Sequence, residues 1–277
     1  MTESQIGFMQ GRLSPVIGGK IQAFPWGCWQ HEILAAKNIG INIMEWTLDQ
    51  ERLYENPIMT TSGQIEILSL CKKHDFSIPS LTGDCFMQAP FWKVNDITHR
   101  DKLKADFEAI VNACSKIGIE AVVLPLVDDG RLVDIQQENI LVEFLLGQQS
   151  NLRELGVKIV FESDFSPVEL HRFIGRLDPD VFGINYDIGN SASLGLNPAE
   201  EFSLIGDRIL NVHVKDRLLG GTTVPLGEGN ANFNSVFSLL KSFGYSGNYI
   251  LQTARAIDDQ HSEVLLLYKQ FVERGFC

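Results

Sequence analysis

VKIVFES (residues 157–163), FGINYDIGN (182–190), ILNVHVKD (209–216) and YILQTAR (249–255) are four apolar runs that each reach a polar side chain. Those side chains are Glu162, Asp187, His213 and Gln252. They lie 25, 26 and 39 residues apart (162 to 187, 187 to 213, 213 to 252), room for one strand–helix unit each. A carboxylate or imidazole at the end of a buried strand is costly unless it is paired or holds a metal. Four such ends converging at one mouth predict a divalent-cation site inside a barrel.

The same rhythm extends to the rest of the chain. Strand-like runs fall at 6–10, 41–46, 77–82, 121–127, 157–162, 182–188, 209–214 and 248–253. Amphipathic stretches lie between and after them, at 28–38, 61–74, 99–117, 136–155, 167–174, 198–205, 232–243 and 258–273. Gly118 and Gly156 stop two of these helices, and Pro198 opens another at its first turn. Pro79 weakens the third strand. Near-continuous apolar strands covered by helices indicate a parallel sheet. Eight units in 277 residues predict an α/β fold, a (β/α)8 TIM barrel, as one domain over residues 1–277. A doubly wound open sheet would carry a glycine-rich phosphate turn, and GxGxxG is absent.

Hydrophobic content of 44% and charged content of 21% fit a soluble globular protein. A net charge of −12 argues against a nucleic-acid partner, which needs a basic face. Cys28, Cys71, Cys85, Cys114 and Cys277 form no CxxC pair, so free thiols in a reducing cytoplasm are expected. Neither a signal peptide nor a membrane span is expected.

In such barrels the active site lies at the carboxyl ends of the strands. The polar residues there are Gln10, Arg12, Glu45, Thr82, Asp84, Asp128, Asp129, Glu162, Asp187, Asn190, His213, Lys215, Arg217, Gln252 and Arg255. Two carboxylates, one imidazole and one amide on strands five to eight suit manganese, magnesium, cobalt or zinc. A plainer role competes for each residue. Asp187 and Asp216 suit helix caps, and a strand histidine is commonly a hydrogen-bonded core residue. The aromatics Phe24, Trp26, Trp29, Phe86, Phe91 and Trp92 suit either a pocket lining or ordinary packing.

The stretches IGFMQGRLSP (6–15), GINIMEWTLD (40–49), VFES (160–163), YDIGN (186–190), HVKDR (213–217) and LGEGNANF (226–233) resemble the xylose-isomerase-like TIM barrels, the sugar phosphate isomerase/epimerase group. The resemblance implies that Glu162, Asp187 and His213 bind a metal with a fourth residue, a glutamate in that family and Gln252 here. It implies that Glu162 moves a proton. Asn190 stands where the ketose epimerases carry a histidine, and Arg217 matches a substrate-contacting arginine.

An amide does not titrate, so Gln252 is no second base. That favours aldose–ketose isomerisation with one base, or epimerisation with a replacement acid from Glu45, Asp84 or Lys215. The expected chemistry is proton abstraction next to a carbonyl, with Glu162 as base and Lys215 and Arg217 polarising or holding substrate oxygens. Arg12 and Arg255 are expected at a phosphate or carboxylate of a small carbohydrate. The alternatives are an inosose-type dehydratase and a sugar-binding barrel without turnover. Apurinic-site endonucleases of the superfamily carry a histidine-rich zinc cluster, whereas here only His213 falls at a strand end. The loop at 15–29 is either a lid over the mouth or a static surface loop. Pairing of barrels through their helices is open.

Overall fold

Eight strands close into one parallel barrel in a computed structural model that describes residues 5–256 and 258–275. They are β1 (Ile6–Met9), β2 (Ile43–Thr47), β3 (Ser77–Thr82), β4 (Ala121–Leu126), β5 (Lys158–Ser163), β6 (Phe182–Asp187), β7 (Ile209–Val214) and β8 (Tyr249–Leu251). Each pairs with its sequence neighbours, and β8 closes the ring against β1. The helices outside are α1 (Trp29–Asn38), α2 (Thr61–His74), α3 (Asp84–Gln88), α4 (Ile97–Ile117), α5 (Ile135–Leu155), α6 (Pro167–Ile174), α7 (Ile188–Leu194), α8 (Pro198–Ile205), α9 (Phe233–Ser242) and α10 (His261–Gly275). Cys28, Cys71, Cys85 and Cys114 are free thiols, and Cys277 lies outside the described residues. Among the described residues no helix is long and apolar enough to cross a membrane.

The alternation expected from the sequence is present, with two additions. The short helices α3 and α7 follow β3 and β6 almost at once, where the apolar pattern reads as strand end or loop. Asp187 makes α7 possible: its Oδ1 accepts the Asn190 N–H at 2.8 Å, a side-chain cap on the first turn. Pro79 sits within β3 despite lacking an N–H. The pairing of β2 with β3 runs Ile43 to Ser77 and then Glu45 to Ser80, so β3 holds one extra residue there. That bulge absorbs the proline.

The main core lies between strands and helices, where Phe107, Phe161, Phe173 and Phe202 are fully buried. A separate small cluster joins Met9, Ile43 and Ile250. Gly7 makes room for it, since a Cβ there would come 2.7 Å from Ile43 Cγ1. Glu45, Ser80, Asn185, Asn211 and His213 are buried polar residues on the same strands and bond to one another. Buried polar groups of this kind fix geometry when they are fully satisfied.

Asp216 does not cap a helix as expected. Its carboxylate accepts the N–H groups of Gly227 and Gly229 at 2.9 Å each and of Ala231 at 3.0 Å. It therefore pins the loop 226–233 beside the mouth. Gly229 is needed for that approach, because a Cβ would meet Asp216 Oδ1 at 2.2 Å. Gly229→Ala is expected to cost about 1–3 kcal/mol through this clash. Thermal unfolding checks it, and an unchanged midpoint would contradict it.

Candidate active site at the carboxyl end of the barrel

β5, β6 and β7 bring three sequence-predicted residues together. One ligand atom each from Glu162, Asp187 and His213 lies within 4.8 Å of the others, and all three residues are buried. His213 Nδ1 is 3.1 Å from Glu162 Oε2 and 4.0 Å from Asp187 Oδ2. Parallel pairing of Asp187 with His213 sets two of the three at one height.

His213 Nε2 meets Glu45 Oε1 at 2.7 Å, so Glu45 sits behind the ring. Glu45 also accepts from Ser80 Oγ at 2.6 Å, from Thr82 Oγ1 and from Asn211 Nδ2 at 2.9 Å. Asn211 donates to Asn185 Oδ1 at 2.8 Å, which turns the Asn185 amide so that its Nδ2 faces Glu162 Oε2 and His213 Nδ1, each at 3.0 Å. Glu45 was expected at the substrate. It is fully buried and instead holds the histidine, orienting the ring so that Nδ1 faces Glu162 and Asp187. Asn185 and Asn211 were missed: each lies two residues before a predicted ligand, Asp187 and His213, inside runs that read as apolar.

Burial opposes charge on His213, but Glu45 and Glu162 outweigh it and raise the imidazole to about 10. Burial would push Glu162 up, yet the His213 hydrogen bond and the Lys215 charge hold it down at about 2. Asp187 is pushed above its ordinary value by burial, with Lys215 opposing. The two shifts run in opposite directions, and Glu162 is the more acidic of the pair. Asn190 Nδ2 donates to its Oε1 at 2.7 Å, and Arg217 Nη1 donates to Asn190 Oδ1 at 2.8 Å.

Gln252, expected as the fourth ligand, lines the same cavity and bonds to two neighbouring side chains. Its Oε1 accepts from Lys215 Nζ at 2.8 Å, and its Nε2 donates to Gln22 Oε1 at 3.1 Å. Lys215 Nζ also lies 2.6 Å from Asp187 Oδ2. That oxygen is buried and accepts no hydrogen bond of regular geometry, so its contact with Lys215 is an ion pair only. One ammonium thus bridges the amide oxygen of Gln252 and the carboxylate of Asp187. Gln22 Nε2 in turn donates to Asp84 Oδ2 at 2.8 Å. Burial raises Asp84 to about 7.

A cavity of about 600 Å³ opens over this floor, lined by Gln22, Asp84, Glu162, Asn190, Lys215, Arg217 and Gln252 among others. Its size falls in the range of small-molecule sites. Lys20, Ile21 and Gln22 bring the first loop to its wall. Arg12 and Arg255, expected at a substrate anion, do not line it. Arg12 is buried and donates to Thr253 O and Ile21 O at 2.9 Å each, while Arg255 donates to Ser14 O. Both strap the first loop to the barrel because unpaired loop carbonyls attract the buried guanidinium donors. Glu32 completes the strap by accepting the Gly11 and Leu13 N–H groups, and burial raises it to about 7. The aromatics Phe24, Trp29, Phe86, Phe91 and Trp92 are core, and Trp26 stacks under Arg52.

These shifts predict the pH response of metal-stripped protein. His213, raised from 6.5 to about 10, contributes stability below its unfolded value and loses it as pH rises. Glu32 and Asp84, raised from 4.5 and 3.8 to about 7, lose theirs at lower pH, and the last of that loss falls between about pH 6 and 7. The lowered carboxylates Glu45 and Glu162 already contribute fully by about pH 6. The unfolding midpoint after chelation is expected to be lower at about pH 9 than at about pH 6. A midpoint that rises across this window would contradict the assignment.

A family model described as xylose isomerase-like TIM barrel matches residues 33–269. L-ribulose-5-phosphate 3-epimerase UlaE of Salmonella paratyphi C is 24% identical over 244 residues, 83% of this chain and 84% of that one. The structure of D-allulose 3-epimerase from Methylomonas sp. in complex with D-allulose superposes with a TM-score of 0.77 at 14% identity, covering 99% of this chain and 98% of that one. IOLI protein with a bound zinc atom gives 0.75 at 16% identity, covering 98% of each chain. The structural likenesses carry the fold, and the family match carries the kinship: the chain belongs to the xylose isomerase-like TIM barrel family.

Proposed function

We propose that this protein is a metal-dependent isomerase or epimerase of a small sugar or sugar phosphate. It removes the proton next to the substrate carbonyl and passes through an enediolate. The observation that carries the reading is Glu162: an ionised carboxylate facing a sugar-sized cavity, with Asp187 and His213 beside it. UlaE and D-allulose 3-epimerase, by their names, invert a ketose carbon, which supports this class of chemistry.

The donor set fits a divalent ion. Two carboxylate oxygens and His213 Nδ1 suit manganese, magnesium, cobalt or zinc. The buried Asp187 Oδ2 already faces a cation, Lys215 Nζ at 2.6 Å, and accepts no regular hydrogen bond, so it is an oxygen suited to positive charge. Glu162, Asp187 and His213 would hold the ion, and Gln252 could join once its oxygen leaves Lys215. Such an ion supplies Lewis-acid stabilisation of developing negative charge on substrate oxygens.

The chain's own residues do the rest. Glu162 takes the carbon-bound proton; its carboxylate is ionised at neutral pH and so free to accept one. Asn190, fixed by Arg217, holds the Glu162 carboxylate in place. Lys215 and Arg217 present donors to substrate hydroxyl or phosphate oxygens. The first loop walls the cavity through Lys20, Ile21 and Gln22. The separate free thiols agree with a cytoplasmic setting.

The test is conversion of L-ribulose 5-phosphate, D-allulose and D-tagatose by manganese-loaded protein, with products resolved by NMR and mass. An isomer of unchanged mass is expected. Loss of water would assign a dehydratase instead, and binding without any product would assign a binding protein.

A further inference from the structure

We propose that Asp84 is the second proton-transfer group of this site and that Gln22 positions it. The inference rests on the isomerase/epimerase reading and says how a chain with an amide at residue 252 can still invert a carbon.

Three observations carry it. Asp84 opens α3 just past β3 and lines the cavity that Glu162 also lines. One strand separates β3 from β5 in the ring, so the two carboxylates reach one cavity from separate strand ends. Asp84 also has no cationic partner within ion-pair distance among the described residues. Its one side-chain hydrogen bond is the donation from Gln22 to Oδ2, which leaves Oδ1 for a substrate.

The third observation is a chain of amides with a fixed sense. Lys215 can only donate, so it sets Gln252 Oε1 as acceptor and Gln252 Nε2 as donor. Gln22 must then accept through Oε1 and donate through Nε2, and that donor ends on Asp84. A glutamate at residue 252 would not donate to Gln22. The amide at this position therefore places Asp84 by way of Gln22.

The groups around Asp84 agree with a proton kept near neutral pH. Burial is the main cause, Asp49 and Glu162 add to it, and Gln22 and His213 oppose it. Arg12 is near enough for Asp84 to raise it, though burial dominates the arginine. Glu162 removes the proton, breaking the C–H bond, and the electron pair passes to the carbonyl oxygen. The Asp84 carboxyl then delivers its proton to the same carbon from the other side. The carbonyl re-forms, and Glu162 is left protonated and Asp84 ionised. The reverse reaction restores both, as does proton exchange with solvent.

The test is Asp84→Asn on the full metal-loaded chain in D2O, with the panel ketose that turns over fastest. Wild type is expected to place deuterium at the inverted carbon of the product. Asp84→Asn is expected to lower epimer formation at least about 100-fold. The recovered substrate should still gain deuterium through Glu162, and Asp84→Glu should restore part of the conversion. Epimer formed at the wild-type rate would overturn the proposal. So would joint loss of exchange and conversion in a folded variant, which marks a binding or structural role. Should Asp84→Asn not fold, Gln22→Leu gives the same test. Losing that hydrogen bond raises Asp84, so the alkaline limb of turnover must move up in pH, and an unmoved limb overturns the role. If wild type neither converts nor exchanges any ketose, the isomerase reading falls, and this inference falls with it.

Discussion

Glu162→Gln is expected to lower turnover by about 10³-fold or more on any ketose the wild type converts. The substitution keeps the side chain's size and its place at the end of β5, but an amide takes no proton from carbon. Its surroundings were built for an anion: Asn185 and Asn190 both donate to it, His213 lies 3.1 Å away, and Lys215 adds its charge. An amide in that pocket meets two donors with only one acceptor atom, so some loss of stability is expected besides the chemistry. Circular dichroism separates the two effects. A folded Glu162→Gln protein that turns over at the wild-type rate would remove Glu162 from the mechanism.

His213→Ala is expected to abolish stoichiometric binding of a divalent ion and to destabilise the barrel. The ring is the one nitrogen donor in the trio and is fully buried. Removing it also strips Glu45 of its imidazole partner inside the barrel. Ser80, Thr82 and Asn211 still donate to Glu45, yet a buried carboxylate losing its partner typically costs about 3–5 kcal/mol. Elemental analysis should give about one ion per wild-type chain and essentially none in the variant. An ion retained at full occupancy would show that the trio is not the site.

The barrel was legible because its strands are largely apolar and most end on or just before a polar residue. Val157 to Glu162 and Ile209 to His213 show this without any structure, and so did the trio they carry. Three things were not legible. Glu45 looks like any strand-end carboxylate, and only closure of the ring brings it 2.7 Å from a histidine 168 residues away. Arg12 and Arg255 look like anion binders, and only the path of the first loop shows that they bind its carbonyls. Gln22 carries no signal at all, since an isolated glutamine in a loop is ordinary. It matters because Gln252 and Asp84 stand on either side of it. Side chains joined across the ring belong to tertiary geometry, which local pattern does not encode.

The departure at residue 252 has a physical account. An amide there accepts from Lys215 and donates to Gln22 at once, which a carboxylate does not do. Lys215 in turn neutralises Asp187. In the proposed metal site an incoming ion would compete with Lys215 for Asp187.

The most direct measurement is NMR of a ketose held with manganese-loaded protein in D2O. Abstraction by Glu162 predicts deuterium at the carbon next to the carbonyl, in product or recovered substrate, and none with Glu162→Gln. A wild-type protein that binds the ketose and leaves that carbon fully protonated would contradict the account.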